Sequence, residues 1–357
     1  MNENERVKSI IEPLIEWYQD NKKPLPWRED KSAYRVWISE IMLQQTRTSA
    51  VIPYFLRFVE KYPSVSALAL ADDDELMKLW EGLGYYSRAR NLKKCAIELM
   101  EKYGGAFPQN SKELLSLPGI GPYTAGAISS IAFGEPTPAV DGNVLRVLMR
   151  VLASDRDIAD ERTKRAVTEL LSSVYPSGEE ASAFTQSLME LGENICIPNG
   201  EPRCDKCPIC KQCFAYEGKI QTLFPIKSPK KPRKIENRTI LVISYADFFY
   251  IRKRAPKGLL ASLYEFLNLE GTLAPEDVKS LLSGFGISDL ELTELAPATH
   301  IFTHVEWHMC AYRIVLSAPP SKALLKQYEL FGATREQIEA LYSIPTAYKA
   351  FTKQIKG

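Results

Sequence analysis

The sequence predicts two domains of different class: an all-α domain over residues 1–216 and an α+β domain over 239–357, joined by a basic, proline-containing linker over 217–238. Three observations carry that expectation. At 357 residues the chain is too long for one typical domain, and each half can bury its own core. Up to about Tyr216 apolar residues recur at helical spacing, as in Ile10, Ile11, Leu14, Ile15 and Tyr18, or Leu145, Leu148, Val151 and Leu152. Beyond the linker the texture changes. Ile240 to Arg254 reads as two strands around a Tyr-Ala-Asp turn, and His300 to Met309 alternates with the period of a strand. Between them Pro225 to Arg238 carries six basic residues, one acidic residue and three prolines, which disfavour helix and central strand alike.

Composition narrows the function classes. Hydrophobic residues at 45% and charged residues at 25% are ordinary for a globular protein. The polar start has no secretory apolar stretch and no run is long enough to span a bilayer, so a cytoplasmic protein is expected. With 45 Lys+Arg against 44 Asp+Glu, a strongly basic nucleic-acid binder is excluded, and any contact with DNA must be organised locally. Five of the seven cysteines fall between Cys196 and Cys213, a clustering that favours metal ligation over disulfides.

One local organiser stands at Leu117-Pro118-Gly119-Ile120-Gly121-Pro122-Tyr123-Thr124-Ala125. Gly119 and Gly121 make a tight turn between two helices sterically possible, Asn110 and Glu113 read as a capping pair for the first helix, and Pro122 suits the first turn of the second. Such a turn can hold a DNA phosphate through backbone N–H groups and a helix N-terminus, without a basic side chain. Further on, Asp141 precedes an apolar-periodic helix, which by itself reads as an N-cap. Glu40, inside the run Trp37-Ile38-Ser39-Glu40-Ile41-Met42-Leu43-Gln44-Gln45-Thr46, is crowded by apolar neighbours that would keep its carboxyl protonated, as a general acid requires.

The hairpin followed some twenty residues later by an aspartate resembles the helix-hairpin-helix DNA glycosylases. Together with Leu25-Pro26-Trp27-Arg28, the Trp-Ile-Ser-Glu run and Gly82-Leu83-Gly84-Tyr85-Tyr86-Ser87-Arg88-Ala89-Arg90, it resembles the MutY-type adenine DNA glycosylases over nearly the whole chain. The resemblance implies a base-excision-repair enzyme that flips adenine out of a duplex and hydrolyses its N-glycosidic bond. Glu40 would protonate the base and Asp141 would stabilise the sugar cation, with Tyr123 and Asn143 holding Asp141 and the sugar in place. Trp27, Arg28 and Gln186 would surround the adenine, while Gln45 and Tyr85 would wedge into the helix beside the opposite base, with Thr46 near it. Where endonuclease III carries a lysine that attacks the sugar, this chain has Tyr123, which cannot form a Schiff base; the expected product is therefore an abasic site without strand cleavage. The implied partner is double-stranded DNA with adenine opposite 8-oxoguanine or guanine, bound by a monomer associated with the nucleoid.

The family holds a 4Fe-4S cluster with four cysteines, and Cys196, Cys204, Cys207 and Cys213 match them, although the first loop is one residue longer here. Cys204, Cys207, Cys210 and Cys213 also form a regular ladder whose spacing would suit zinc. Lys257 to Phe266 and His300 to His304 resemble the family's Nudix-like domain, which inspects 8-oxoguanine through Phe302, Thr303 and His304; Thr303 replaces the usual serine. No glutamate-rich hydrolase box follows Gly258, so this domain is expected to bind without hydrolysing. His300, His304 and His308 would lie too far apart along one strand to share an ion. Two rival readings are an endonuclease III-type glycosylase and lyase, and a non-catalytic DNA-binding module.

Overall fold

The structure, a computed structural model, describes residues 2–229 and 232–353. Lys230 and Lys231 of the predicted linker, and the end of the predicted second domain, lie outside the described residues. The chain forms two compact units, Met1–Ala71 with Arg90–Pro229 and Asp72–Ala89 with Lys230–Gly357. The break after Pro229 falls inside the predicted linker, whose last residues are already strand. Asp72–Ala89, by contrast, lies inside the span that periodicity reads as helical domain but groups with the second unit. The contacts responsible are remote in sequence: Ser343 Oγ donates to the Met77 carbonyl at 2.9 Å, the Ile344 N–H to Glu81 at 3.1 Å and the Tyr264 hydroxyl to Asp74 at 2.9 Å. Local patterning carries no trace of them.

The first unit is built around the helix Pro122–Phe133, in which every residue from Thr124 to Ile131 is buried. A helix apolar on all sides needs neighbours all round. Ala33–Leu43 and Glu179–Asn194 pack against it, and Glu179–Asn194 also packs on Ile11–Asn21 and Gly142–Val151. Val7, Leu14, Val144, Leu148, Phe184, Leu188 and Leu191 form a shared core. Asn110 caps the helix Ser111–Ser116 by accepting from the Lys112 N–H at 2.8 Å, and the reciprocal Glu113 bond of a capping box is not formed.

The second unit is a six-stranded sheet with strands β1 (Lys234–Tyr245), β2 (Phe248–Lys253), β3 (Tyr264–Glu270), β4 (Leu290–Ile301), β5 (Val305–Leu316) and β6 (Phe331–Thr334) in the order β4-β5-β1-β3-β2-β6. Only β1 and β5 run parallel, from Lys234 opposite Val305 to Ser244 opposite Val315. Central β1 is covered on both faces: Ile240 and Val242 enter one core with Phe266, Trp307 and Tyr348, while Leu241 and Ile243 enter another with Val278, Leu282 and Leu324. That is why the sequence shows an unbroken apolar run there instead of alternation. The Tyr-Ala-Asp hairpin forms as expected, with Ala246 at φ +48°. The single strand expected from His300 to Met309 does not form. A tight turn splits it, closed by the Phe302 N–H on the Val305 carbonyl at 2.8 Å, so that His300 faces Trp307 and Thr299 faces His308 across β4 and β5. Phe-Thr-His lacks the Gly or Asn that would have marked the reversal.

Gly126 is where packing bears on the site. A Cβ built there would lie 2.2 Å from the Pro138 carbonyl oxygen, so the segment leading to Asp141 rests directly on the central helix. Gly126→Ala should lower stability by about 1–3 kcal/mol or more, since backbone cannot give way as a side chain can. Gly142→Ala, with nothing within 4 Å of its Cβ, should leave stability unchanged or slightly raised. Urea unfolding midpoints at constant slope check both.

Candidate active site

A cleft of about 1150 Å³ opens in the first unit, and Trp27, Arg28, Glu40, Gln45, Thr46, Tyr123, Asp141, Asn143 and Gln186 all line it. Nine residues proposed from separate runs of sequence thus converge on one space, large enough for a nucleoside.

Glu40 sits on the Ala33–Leu43 helix in an uninterrupted buried stretch from Val36 to Met42, so it belongs to no solvated stripe. It is 5% exposed, and the Tyr123 hydroxyl donates to its Oε2 at 2.6 Å. Burial pushes its carboxyl up to about 7; the Tyr123 hydrogen bond opposes the rise, the charge of Asp141 adds to it, and that of Arg28 opposes it. With Oε2 taken by the phenol, Oε1 is left to carry a proton.

Asp141 is buried too and its pKa is also raised, but against a larger set of opposing partners. It caps the helix Gly142–Val151, accepting from the Asn143 and Val144 N–H groups at 2.9 and 2.8 Å, while Asn143 Nδ2 donates to its other oxygen at 2.9 Å. Burial raises its pKa, but those donors and the Arg146 charge oppose this. Three donors on two oxygens suit a carboxylate, not a neutral acid. The N-cap reading is borne out, and the same carboxyl group lines the cleft.

The hairpin has the expected shape. Gly119 adopts φ +76°, and a Cβ there would lie 2.7 Å from Asn91 Cβ. Among the described residues the exposed N–H groups of Gly119 and Gly121 donate to nothing, which leaves two outward-facing donors at a helix start. Gln45 and Tyr85, both exposed, hold φ of +60° and +47°, a region side chains of their kind rarely adopt. In the second unit Tyr85 lies with its hydroxyl 3.5 Å from Thr303 Oγ1. Phe302 is half-buried at the hairpin tip, and Thr303 and His304 are exposed beside it.

All five clustered cysteines line one cavity with Val147, Arg150, Leu191 and Ile195. Arg150 donates to Cys196 Sγ at 3.2 Å, and its carbonyl accepts from Cys213 Sγ at 3.3 Å. The loop between Cys196 and Cys204 is pinched at its base, where the Arg203 N–H meets the Ile195 carbonyl at 3.0 Å. Among the described residues no three His, Cys, Asp or Glu side chains are gathered closely enough to hold a single metal ion.

Residues 38–173 match the HhH-GPD superfamily of base excision DNA repair proteins, and residues 238–354 match the NUDIX domain. The adenine DNA glycosylase of Buchnera aphidicola subsp. Schizaphis graminum is 34% identical over 85% of this chain and 87% of its own length. That of Mus musculus is 33% identical over 88% of this chain and 72% of its own. The chain belongs to the adenine DNA glycosylase family. Among solved structures, a thermostable thymine-DNA glycosylase is 30% identical with a TM-score of 0.55, covering 60% of this chain and 98% of its own. Endonuclease III in a non-covalent complex with DNA is 26% identical with a TM-score of 0.52, covering 62% and 100%. This glycosylase thus combines an endonuclease III-like helical fold with a NUDIX-like α+β domain and acts in base excision repair of DNA. Among its described residues no helix is long and apolar enough to cross a membrane.

Several residues of the cleft had no motif of their own. Glu190, 3% exposed, forms an ion pair with Arg28 and accepts from the Lys23 N–H at 3.2 Å. Its one sequence signal is that it lies four positions after Gln186, hence on the same helical face. Gln186 itself is buried, its Nε2 on Ser182 at 3.2 Å. Arg146 donates to Asn143 Oδ1 at 2.8 Å and to the Gly192 and Cys196 carbonyls, both at 2.7 Å, and so braces the Asp141 clasp from behind.

The lifted Glu40 pKa has a stability cost with a definite sign. Between the ordinary 4.5 and about 7 the folded chain keeps a proton that the unfolded chain releases, so stability is full below 4.5 and falls as pH rises through 7. At 1.36 kcal/mol per unit the loss is about 3 kcal/mol. Glu40→Gln should therefore be more stable than the native chain at pH 8 by up to about that amount, with the difference shrinking toward pH 4.5. Urea titrations at pH 5 and 8 test this, and a difference independent of pH would refute it.

Proposed function

We propose that this glycosylase releases adenine from pairs with 8-oxoguanine or guanine in double-stranded DNA, acting as a monomer and leaving an abasic site. The observation that carries the reading is the asymmetric pair of carboxyl groups, one buried on a phenol and poised near neutrality, the other capping a helix with three donors on its oxygens.

Adenine leaves badly as an anion. Glu40 transfers its proton to N7 of the flipped base, the C1′–N9 bond breaks with its electron pair going to the base, and the Asp141 carboxylate faces the cation that develops on the sugar. Water then adds to C1′ and gives its proton to the Glu40 carboxylate, which restores the acid. A general acid supplies about 10²- to 10⁴-fold and one electrostatic partner about 3–4 kcal/mol, against the roughly 8–23 kcal/mol enzymes provide, so positioning must supply the rest. Trp27, Arg28 and Gln186 position the base, with Arg28 fixed by Glu190, while Asn143 and Tyr123 orient the two carboxyl groups. Gln45 and Tyr85 fill the gap left by the flipped base, with Thr46 near the opposite base, and Gly119 and Gly121 grip a phosphate. Phe302, Thr303 and His304 read the opposite base. Tyr123 disfavours an endonuclease III-type lyase, because a phenol hydrogen-bonded to Glu40 offers no amine to the sugar.

The five clustered cysteines share one cavity, and thiols are the donors an iron–sulfur group takes. Cys196, Cys204, Cys207 and Cys213 would hold a 4Fe-4S cluster, which when bound staples the loops behind the Gly142–Val151 helix and takes no part in the reaction.

Duplexes with adenine opposite 8-oxoguanine, guanine or cytosine, treated with alkali after incubation, test the substrate. Abasic sites are expected with the first two and no strand break before alkali. Single-turnover release should fall as pH rises through about 7, Glu40→Gln should abolish release yet retain duplex binding, and Tyr123→Phe should slow it about tenfold, the scale of one lost charge-assisted bond. Release only opposite cytosine, or full activity in Glu40→Gln, would overturn the assignment.

A further inference from the structure

In the second unit Glu265 on β3 is 1% exposed, a buried carboxylate that must be paired. Arg252 Nε meets its Oε1 at 2.9 Å, and the Tyr348 hydroxyl and Arg254 both bind Oε2. One guanidinium and one phenol would suffice to satisfy it. Arg254 spends its remaining reach elsewhere: its Nε donates to the Leu259 carbonyl at 3.0 Å, and its guanidinium carbon lies 5.7 Å from the Trp307 ring centroid.

Those two contacts join separate pieces of the surface. Leu259 belongs to the loop from Ala255 to Ser262, closed by the Ser262 N–H on the Ala255 carbonyl at 3.0 Å. Within it Gly258, Leu260 and Ser262 take φ of +93°, +56° and +60°. Two left-handed residues other than glycine in three positions persist only where the surroundings over-determine them. Trp307, 1% exposed, is the platform of the other piece: Phe302 meets it edge-on with ring centroids 5.0 Å apart, and Leu259, Leu260 and Phe302 rest on the same core. A fixed tip also needs its backbone held, and Arg233 Nε donates to the Phe302 carbonyl at 3.1 Å.

We propose that Arg254 is a positioning residue for recognition of the base opposite the adenine, locking the strained Ala255–Ser262 loop and the Phe302–His304 tip to each other through Leu259 and Trp307. The proposal rests on the reading of Phe302, Thr303 and His304 given above. Arg254 touches no DNA in this scheme. It sets how far the tip can adapt to a wrong base, so its effect is on discrimination, not on the chemical step.

Full-length Arg254→Lys is the test, because lysine keeps a cation beside Glu265 but loses the planar fork that reaches Leu259 and lies over Trp307. Single-turnover adenine release is measured opposite 8-oxoguanine and opposite guanine. The ratio of the two rates should fall about three- to tenfold, the net scale of one hydrogen bond. Arg252→Lys, on the same carboxylate but without contact to loop or tip, should lower the urea midpoint without moving the ratio. An equal fall in both variants would mean general loosening and overturn the proposal. An unchanged ratio in Arg254→Lys alongside a reduced one in His304→Ala would overturn it too, while keeping the tip as the reader. No change in either would remove the reading of the tip itself.

Discussion

The hydrogen bond from the Tyr123 phenol to Glu40 sets the terms for the rest of the cleft. A carboxyl 5% exposed in an apolar helix loses most of its hydration, and with no cation in contact it resists ionisation. Left alone it would be a mere burden on stability. The phenol at 2.6 Å satisfies one oxygen and prefers the charged form, which pulls the pKa back into the range where a proton can be both held and given up. Because Tyr123 stands at the start of the central helix, directly after the hairpin, the element that offers backbone donors outward also orients the acid inward. A lysine at that position would bring a competing cation and a nucleophile; the phenol brings neither.

The second carboxylate shows the same fold solving the opposite problem. Asp141 is buried as well, yet the helix it caps supplies N–H donors and a favourable dipole, and Asn143 and Arg146 stand behind it. Burial raises both acids, and what opposes it differs: a phenol and the Arg28 charge for Glu40, helix-terminal donors, Asn143 and Arg146 for Asp141. The close seat of the Pro138 segment on Gly126 delivers Asp141 to its cap without a flexible lead-in, so the spacing of the two carboxyl groups is a property of backbone packing.

Much of this was legible in the sequence because the decisive features are short-range. The glycine hairpin, the Asp-capped helix, the apolar run around Glu40 and the alternation of sheet against helix all lie within a dozen residues. The illegible parts depend on distance in the chain. Nothing near Asp72 to Ala89 indicates that Ser343 and Ile344 will bind it, so the sequence reading left that segment with the helical domain. Nothing near Glu190 announces Arg28. The turn at Phe302 to His304 was hidden for another reason: its residues have strand propensity, and only the cross-strand bond to Val305 and the seat of Phe302 on Trp307 force the reversal. The cysteines were visible as a set, but the bond from Arg203 to Ile195 that closes the loop between Cys196 and Cys204 was not.

Strain is distributed in a pattern that follows from these constraints. Rigid packing places the acids, whereas Gln45, Tyr85, Leu260 and Ser262 are held in left-handed conformations on turns and loops. Each costs of order 1–3 kcal/mol, and a chain of marginal stability keeps such residues only where neighbours over-determine them. Gln45 follows directly from the helix that buries Glu40, and Tyr85 follows two left-handed glycines, Gly82 and Gly84. An exposed side chain is presented outward most firmly when the backbone behind it cannot relax. A left-handed residue at the end of a buried element does this, because the element cannot relax the strain without surrendering its own core.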